Sequence, residues 1–159
     1  MYEYRCKIVR VVDGDTVDVD IDLGFNSWIH NERVRLNGVD TPESRTSDTI
    51  EKFFGLIAKH HLETMLPVDS IQVLQTATSS STEKYGRTLG HFKLGDSTVN
   101  AWLIENNHAV AYEGQNKDMI AATHKENYKK LLNLDPTLHV TLVTEAKTTD
   151  DKVAQYLTT

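Results

Sequence analysis

Two periodicities divide the chain. Apolar and polar positions alternate over residues 4–12 and again, strictly, over 16–23, where Val17, Val19, Ile21 and Leu23 interleave with Asp18, Asp20 and Asp22. Such alternation marks strands with one buried face and assigns the three aspartates to the solvent side. Asp13-Gly14 reads as the hairpin turn between them, with glycine supplying a cheap positive φ. Residues 25–32 read as a loop, 33–39 as a third strand, 70–76 as a fourth and 87–94 as a fifth, with a polar loop over 78–86. Pro42 bars Thr41 from the α region, so the chain leaves the sheet just after Asp40.

Helical spacing appears between and after these strands. Asp48 and Glu51 stand in capping-box relation ahead of Ile50, Phe53, Phe54, Ile57 and His61, and this helix ends at Pro67. Ser97 caps a short helix bearing Val99, Trp102 and Leu103, and Ile120, His124, Tyr128 and Leu131 share one face of a helix over 119–132. Five strands and three helices are read over residues 1–134, an α+β organisation that fits a barrel decorated with helices. Residues 135–159 form a C-terminal extension of uncertain structure: Leu138, Val140 and Leu142 alternate like a strand, and Val153, Tyr156 and Leu157 suit paired helical turns. Two roles stand open for it, packing on the same domain or forming an oligomer interface, so the protein is read as a monomer or a dimer.

Composition narrows the class. At 159 residues the chain is most naturally one domain, long enough to bury roughly 70% of its unfolded surface without a staple. The single Cys6 excludes an internal disulfide and a Cys-rich zinc site, and its place in the first strand reads as a buried, inert thiol. The N-terminal residues hold no apolar stretch of the kind a secretory leader needs, and no run is long enough to span a membrane, so the expected location is cytoplasmic. The net charge of −6 is unusual for a binder of nucleic acid, whose affinity rests on neutralising phosphates. It predicts modest, sharply salt-dependent affinity, but a metal site itself demands local negative charge and hydrolysis remains open.

Three short segments carry the chemistry: Val-Asp-Gly-Asp-Thr at 12–16, Arg-Leu-Asn-Gly-Val-Asp-Thr-Pro-Glu at 35–43 and Lys-Tyr-Gly-Arg at 84–87. They supply the carboxylates of Asp15, Asp40 and Glu43 and the guanidiniums of Arg35 and Arg87. Carboxylates are hard oxygen ligands for a cation such as Ca²⁺, and guanidiniums match phosphate oxygens as planar forks. Taken singly, Asp13-Gly14-Asp15 is an ordinary turn, Arg35 a cross-strand ion-pair partner, Arg87 a solvated loop residue and 40–43 a strand end. Their joint occurrence favours one shared site. Asp18, Asp20 and Asp22 fail as an EF-hand loop because Leu23 and Ile29 occupy the positions of the required glycine and glutamate. His60-His61 and the five other histidines lack zinc spacing and read as surface or satisfied core residues.

On Val-Asp-Gly-Asp-Thr-Val at 12–17, Val-Arg-Leu-Asn-Gly-Val-Asp-Thr-Pro-Glu at 34–43 and Glu-Lys-Tyr-Gly-Arg at 83–87, the chain resembles the staphylococcal nuclease (thermonuclease) family from about residue 4 to residue 134. The resemblance implies an OB-fold barrel and a Ca²⁺ ion held by the side chains of Asp15 and Asp40 and the backbone carbonyl of Thr41. It implies that Glu43 activates the attacking water, that Arg35 and Arg87 stabilise the transition state, and that Lys84, Tyr85 and Tyr112 contact the nucleotide. Tyr112 reads equally well as a core residue. The implied reaction cleaves DNA and RNA, single strands preferentially, to 3′-phosphate ends. Gly114 departs from the family, which usually places a second tyrosine there, and residues 44–47 and 78–82 are poor in lysine. The alternative is a catalytically silent OB module that binds single-stranded nucleic acid or protein. Such a module has no use for Glu43 beside a metal.

Overall fold

Five strands close on themselves in the computed structural model, which describes residues 1–77 and 86–159. Strands β1 (Tyr2–Asp13), β2 (Thr16–Asp22) and β3 (Trp28–Leu36) form an antiparallel meander, followed by the short β4 (Val39–Asp40) and helix α1 (Thr49–Met65). Strand β5 (Ile71–Thr76) pairs with β1, and β6 (Thr88–Leu94) pairs with β5 on one side. On its other side β6 meets β3 in parallel, with Val34, Arg35 and Leu36 opposite Thr88, Leu89 and Gly90, and this seam completes the barrel. Strand β7 (Ser97–Thr98), helix α2 (Val99–Glu105), strand β8 (Val110–Ala111), and helices α3 (Lys117–Leu134), α4 (Pro136–Glu145) and α5 (Asp150–Thr158) follow.

The barrel interior is the buried half of each alternating strand: Ile8, Val17, Val19, Val34, Leu74 and Phe92 are fully buried, and Cys6 lies among them. Burial pushes the Cys6 thiol up to about 12, so it is inert at neutral pH. Three expectations about the barrel are corrected. Residues 28–32, expected in a loop, are the first half of β3; their side chains are mostly exposed, so pairing to β2 rather than an apolar face makes them a strand. Asp18 is buried rather than solvated, beneath Arg33, which bonds it through Nε (2.9 Å) and Nη2 (3.1 Å), and Arg10 at 2.9 Å. Gly14 does not adopt a positive φ.

Helix starts follow the side chains able to satisfy their free N–H groups. Asp48 caps α1 by accepting from the N–H groups of Ile50 and Glu51. Thr98, not Ser97, caps α2: its hydroxyl accepts from the Ala101 N–H at 3.1 Å. The expected strand at 138–142 is instead α4: Asp135 accepts from the Thr137 N–H, Pro136 occupies the first turn, and Leu138 and Leu142 fall one helical turn apart. Five helices therefore accompany the barrel among the described residues, where three were expected. The two additional ones bury Leu142 and Val153 in a second core with Phe53 and Phe54 of α1 and Tyr128 of α3. The Phe54 and Tyr128 rings stack at 4.1 Å, and the Tyr156 hydroxyl donates to Asp48 at 2.7 Å, joining α5 to the start of α1. No helix among the described residues is long and apolar enough to cross a membrane.

Candidate active site

The site lies where the β1–β2 turn, the end of β3 and the chain leaving β4 meet. The Leu36 N–H donates to the Asp15 carbonyl at 2.8 Å, tying β3 to the turn, and Thr16 sits opposite Arg35 in the β2–β3 register. A Cβ on Gly14 would stand 2.8 Å from Thr41 Oγ1 and 3.1 Å from Ala58 Cβ. Glycine is therefore required here for close approach, since it lets the turn touch both the Thr41 segment and α1. A second glycine serves the other flank: at Gly55, in the middle of α1, a Cβ would fall 2.5 Å from the Glu43 carbonyl oxygen. The Glu43 N–H is also 3.3 Å from Glu51 Oε1, so Glu51 holds the Glu43 loop rather than completing a capping box.

These constraints bring Asp15, Arg35 and Asp40 together. Arg35 directs Nη1 to the carbonyls of Leu36 (3.0 Å) and Val39 (2.8 Å), and its Nη2 lies 3.4 Å from Asp15 Oδ2 and 3.7 Å from Asp40 Oδ1. Asp15 also accepts from the Thr16 hydroxyl and from the Thr41 N–H. Burial raises the Asp15 carboxyl above its usual range, and Arg35 with the Thr41 N–H offsets only part of that. Glu43 stands exposed at the rim. Desolvation first, then the charges of Asp13, Asp15, Asp40 and Glu51, push its carboxyl up to about 7.

Arg87, Tyr112, Lys84 and Tyr85 were also expected at this centre. Arg87 precedes β6, and because Arg35 faces Leu89 across the seam, its backbone lies at the same barrel edge as Arg35. Tyr112 is exposed, with its N–H bonded to the Gly38 carbonyl at 2.8 Å, so the core reading is set aside. Gly114 has φ +82°, a left-handed conformation that favours glycine over any L side chain. Lys84 and Tyr85 lie outside the described residues.

One residue that the sequence offered only as a core or surface histidine belongs here. His124 Nε2 meets Asp40 Oδ2 at 2.8 Å, and the side chain is only 8% exposed. Its signal in the sequence was position: a histidine on the inward stripe of α3 with Ile120, Tyr128 and Leu131 requires a polar partner inside.

The donor set fits a hard divalent cation. An incompletely compensated buried carboxylate, Asp15, faces a second one, Asp40, and the Thr41 hydroxyl beside them is buried with no hydrogen-bond partner. Among the described residues no three His, Cys, Asp or Glu side chains converge on one point, so a cation here needs a backbone oxygen or water besides Asp15 and Asp40.

Comparison with known proteins agrees with this geometry. Residues 33–134 match the family described as staphylococcal nuclease homologue. The thermonuclease of Staphylococcus intermedius is 34% identical over 131 residues, covering 80% of this chain and 73% of the relative. The micrococcal nuclease of Shigella flexneri is 30% identical, covering 69% of this chain and 59% of its own length. Protein ParB of Escherichia coli is 36% identical, with coverages of 69% and 58%. The chain thus spans less than two thirds of the latter two relatives. A closed five-stranded barrel, an acid pair bridged by an arginine at its rim, and this pattern of similarity agree: the chain belongs to the staphylococcal nuclease homologue family.

Proposed function

We propose that the protein is a Ca²⁺-dependent phosphodiesterase that cleaves DNA and RNA, preferring single strands. The observation that carries this reading is the approach of Arg35 Nη2 to both Asp15 (3.4 Å) and Asp40 (3.7 Å) at the head of the Glu43 loop. Asp15, Asp40 and the Thr41 carbonyl would hold the ion, whose charge would polarise the phosphate and the attacking water. Glu43 takes the proton of that water; it stands exposed at the rim, on the loop that Glu51 holds, where a carboxylate can reach a water beside the ion. The water oxygen bonds to phosphorus, the bond to the 5′ oxygen breaks and that oxygen takes up a proton from solvent, so the strand ends become a 3′-phosphate and a 5′-hydroxyl. Arg35 and Arg87 stabilise the charge that grows on the phosphoryl oxygens. Lys84, Tyr85 and the exposed Tyr112 contact the nucleotide.

The test is degradation of denatured DNA and of RNA at low ionic strength. Activity is expected with Ca²⁺, its abolition by a chelator, and its loss in Glu43→Gln with the fold intact. Tight binding of single strands without cleavage would instead identify a silent OB module.

A further inference from the structure

The two acids of the site are held in different ways. Asp15 is buried in the turn and receives a hydroxyl and a backbone N–H. Asp40 ends a two-residue strand and is 27% exposed; its Oδ1 faces Arg35 at 3.7 Å, and its short hydrogen bond, 2.8 Å, joins Oδ2 to His124 Nε2. A carboxylate on so short a strand has two equivalent oxygens and a free rotor unless a donor distinguishes them.

His124 can do so because its own ring is fixed by packing. It lies against Tyr128 with centroids 6.2 Å apart and planes at 22°, and Tyr128 stacks on Phe54 of α1 at 4.1 Å and 6°. The column therefore runs from the second core, which α4 and α5 complete, to the carboxylate of Asp40. The other ring nitrogen, Nδ1, is buried with no hydrogen-bond partner. Among the described residues the ring's one hydrogen bond is therefore the one to Asp40.

We propose that His124 is a positioning residue for Asp40: by holding Oδ2 it presents Oδ1 toward Asp15 as the oxygen offered to the divalent cation. This rests on the reading of Asp15 and Asp40 as the ion site. Groups that hydrogen-bond a ligating carboxylate are typically worth roughly 10–100-fold in metal affinity.

The experiment measures Ca²⁺ binding by titration calorimetry on the full chain with no substrate present. Three variants are compared with the wild type: His124→Leu, which keeps bulk without a donor, His124→Asn, whose amide is too short to reach, and His124→Gln, whose Nε2 can. The expected result is roughly 10–100-fold weaker Ca²⁺ binding for His124→Leu and His124→Asn, with most of the affinity restored in His124→Gln. Affinity for a single-stranded oligonucleotide in excess chelator should stay unchanged in all three. Wild-type Ca²⁺ affinity in the Leu and Asn variants overturns the proposal, as does equal weakening in the Gln variant, which would mean that packing alone matters. If His124→Leu fails to fold, the Asn and Gln pair still decides. A wild type that takes up no Ca²⁺ removes the ion site itself and the proposal with it, an outcome distinct from the others.

Discussion

Gly55→Ala sets two effects of opposite sign against each other, and the geometry decides between them. Alanine in the interior of α1 gains about 0.5–1 kcal/mol over glycine in helix propensity. The new Cβ, however, would lie 2.5 Å from the Glu43 carbonyl oxygen, 2.6 Å from its carbon and 2.7 Å from the Pro42 oxygen. All three are backbone atoms and cannot swing aside as a side chain would. Restoring ordinary contact distances of about 3.5 Å requires the 42–43 segment to retreat by roughly 1 Å. Overpacking of this kind costs about 1–3 kcal/mol, and because the blocking atoms are backbone the upper part of that range, about 2–3, applies, which outweighs the helical gain and leaves a net loss of about 1–2.5 kcal/mol. In a domain of this size that lowers Tm by about 2–4 °C for each kcal/mol. If Glu43 is the base proposed above, the larger effect falls on chemistry, because Glu43 moves with the loop and a displacement of about 1 Å is worth about 10²-fold in rate. Scanning calorimetry and kcat on denatured DNA with Ca²⁺ measure both quantities. A Gly55→Ala protein that melts at or above the wild-type temperature and keeps its kcat would refute this account of how α1 carries the Glu43 loop.

Other perturbations probe separate parts of the molecule. Arg35→Lys replaces a fork that reaches two carbonyls and two carboxylates by a single ammonium, and single-turnover rates at saturating Ca²⁺ should fall by roughly 10²–10³-fold; an undiminished rate would remove Arg35 from the mechanism. Leu142→Ala, at a fully buried position in the second core, should cost about 2–5 kcal/mol in urea unfolding with an unchanged m value, whereas a loss below about 1 kcal/mol would mean that α4 adds little to the fold. Tyr156→Phe removes the 2.7 Å bond to Asp48 and should lower stability by about 1.5–3 kcal/mol in the same assay. His108 is buried, and its folded-state value is pushed from 6.5 down to about 4, first by desolvation and then by His61. Between those values the unfolded chain binds a proton that the folded chain refuses, so stability should fall as pH drops from 6.5 to 4, by at most about 1.4 kcal/mol per pH unit. Below pH 4 this group adds no further loss, and His108→Leu should flatten the slope of urea midpoints in that window; an unchanged slope would assign the acid sensitivity to other groups.

The residues differ in how far their surroundings could be read from the chain. Val17, Val19 and Ile21 announce β2 because burial on one face imposes the alternation, and Asp48 announces α1 because a capping carboxylate acts within three residues. The first half of β3 carried no such mark, since a strand exposed on both faces leaves no apolar period. The strand expected at 138–142 failed for a related reason: three alternating apolar residues fit a helical turn as well as a strand, and Asp135-Pro136 was the deciding signal. Asp18 followed the alternation yet is buried, because Arg10 and Arg33 supply charges that a one-dimensional pattern cannot assign to it. Asp15, Arg35 and Asp40 were legible as a set because each sits in a local motif. His124 was not, for its meaning comes from Asp40, 84 residues away.

The parallel seam between β3 and β6 has a consequence for biosynthesis. It is reinforced by the Thr88 hydroxyl, which donates to Glu32 at 3.1 Å across a sequence separation of 56. A contact so remote in sequence forms only after the loop-closure entropy of everything between has been overcome. Arg87 reaches the rim near Arg35 only when that seam zips. A partly translated polypeptide, still lacking residue 88, therefore carries Asp15, Arg35 and Asp40 but cannot close its barrel, so the candidate site is completed only late in synthesis.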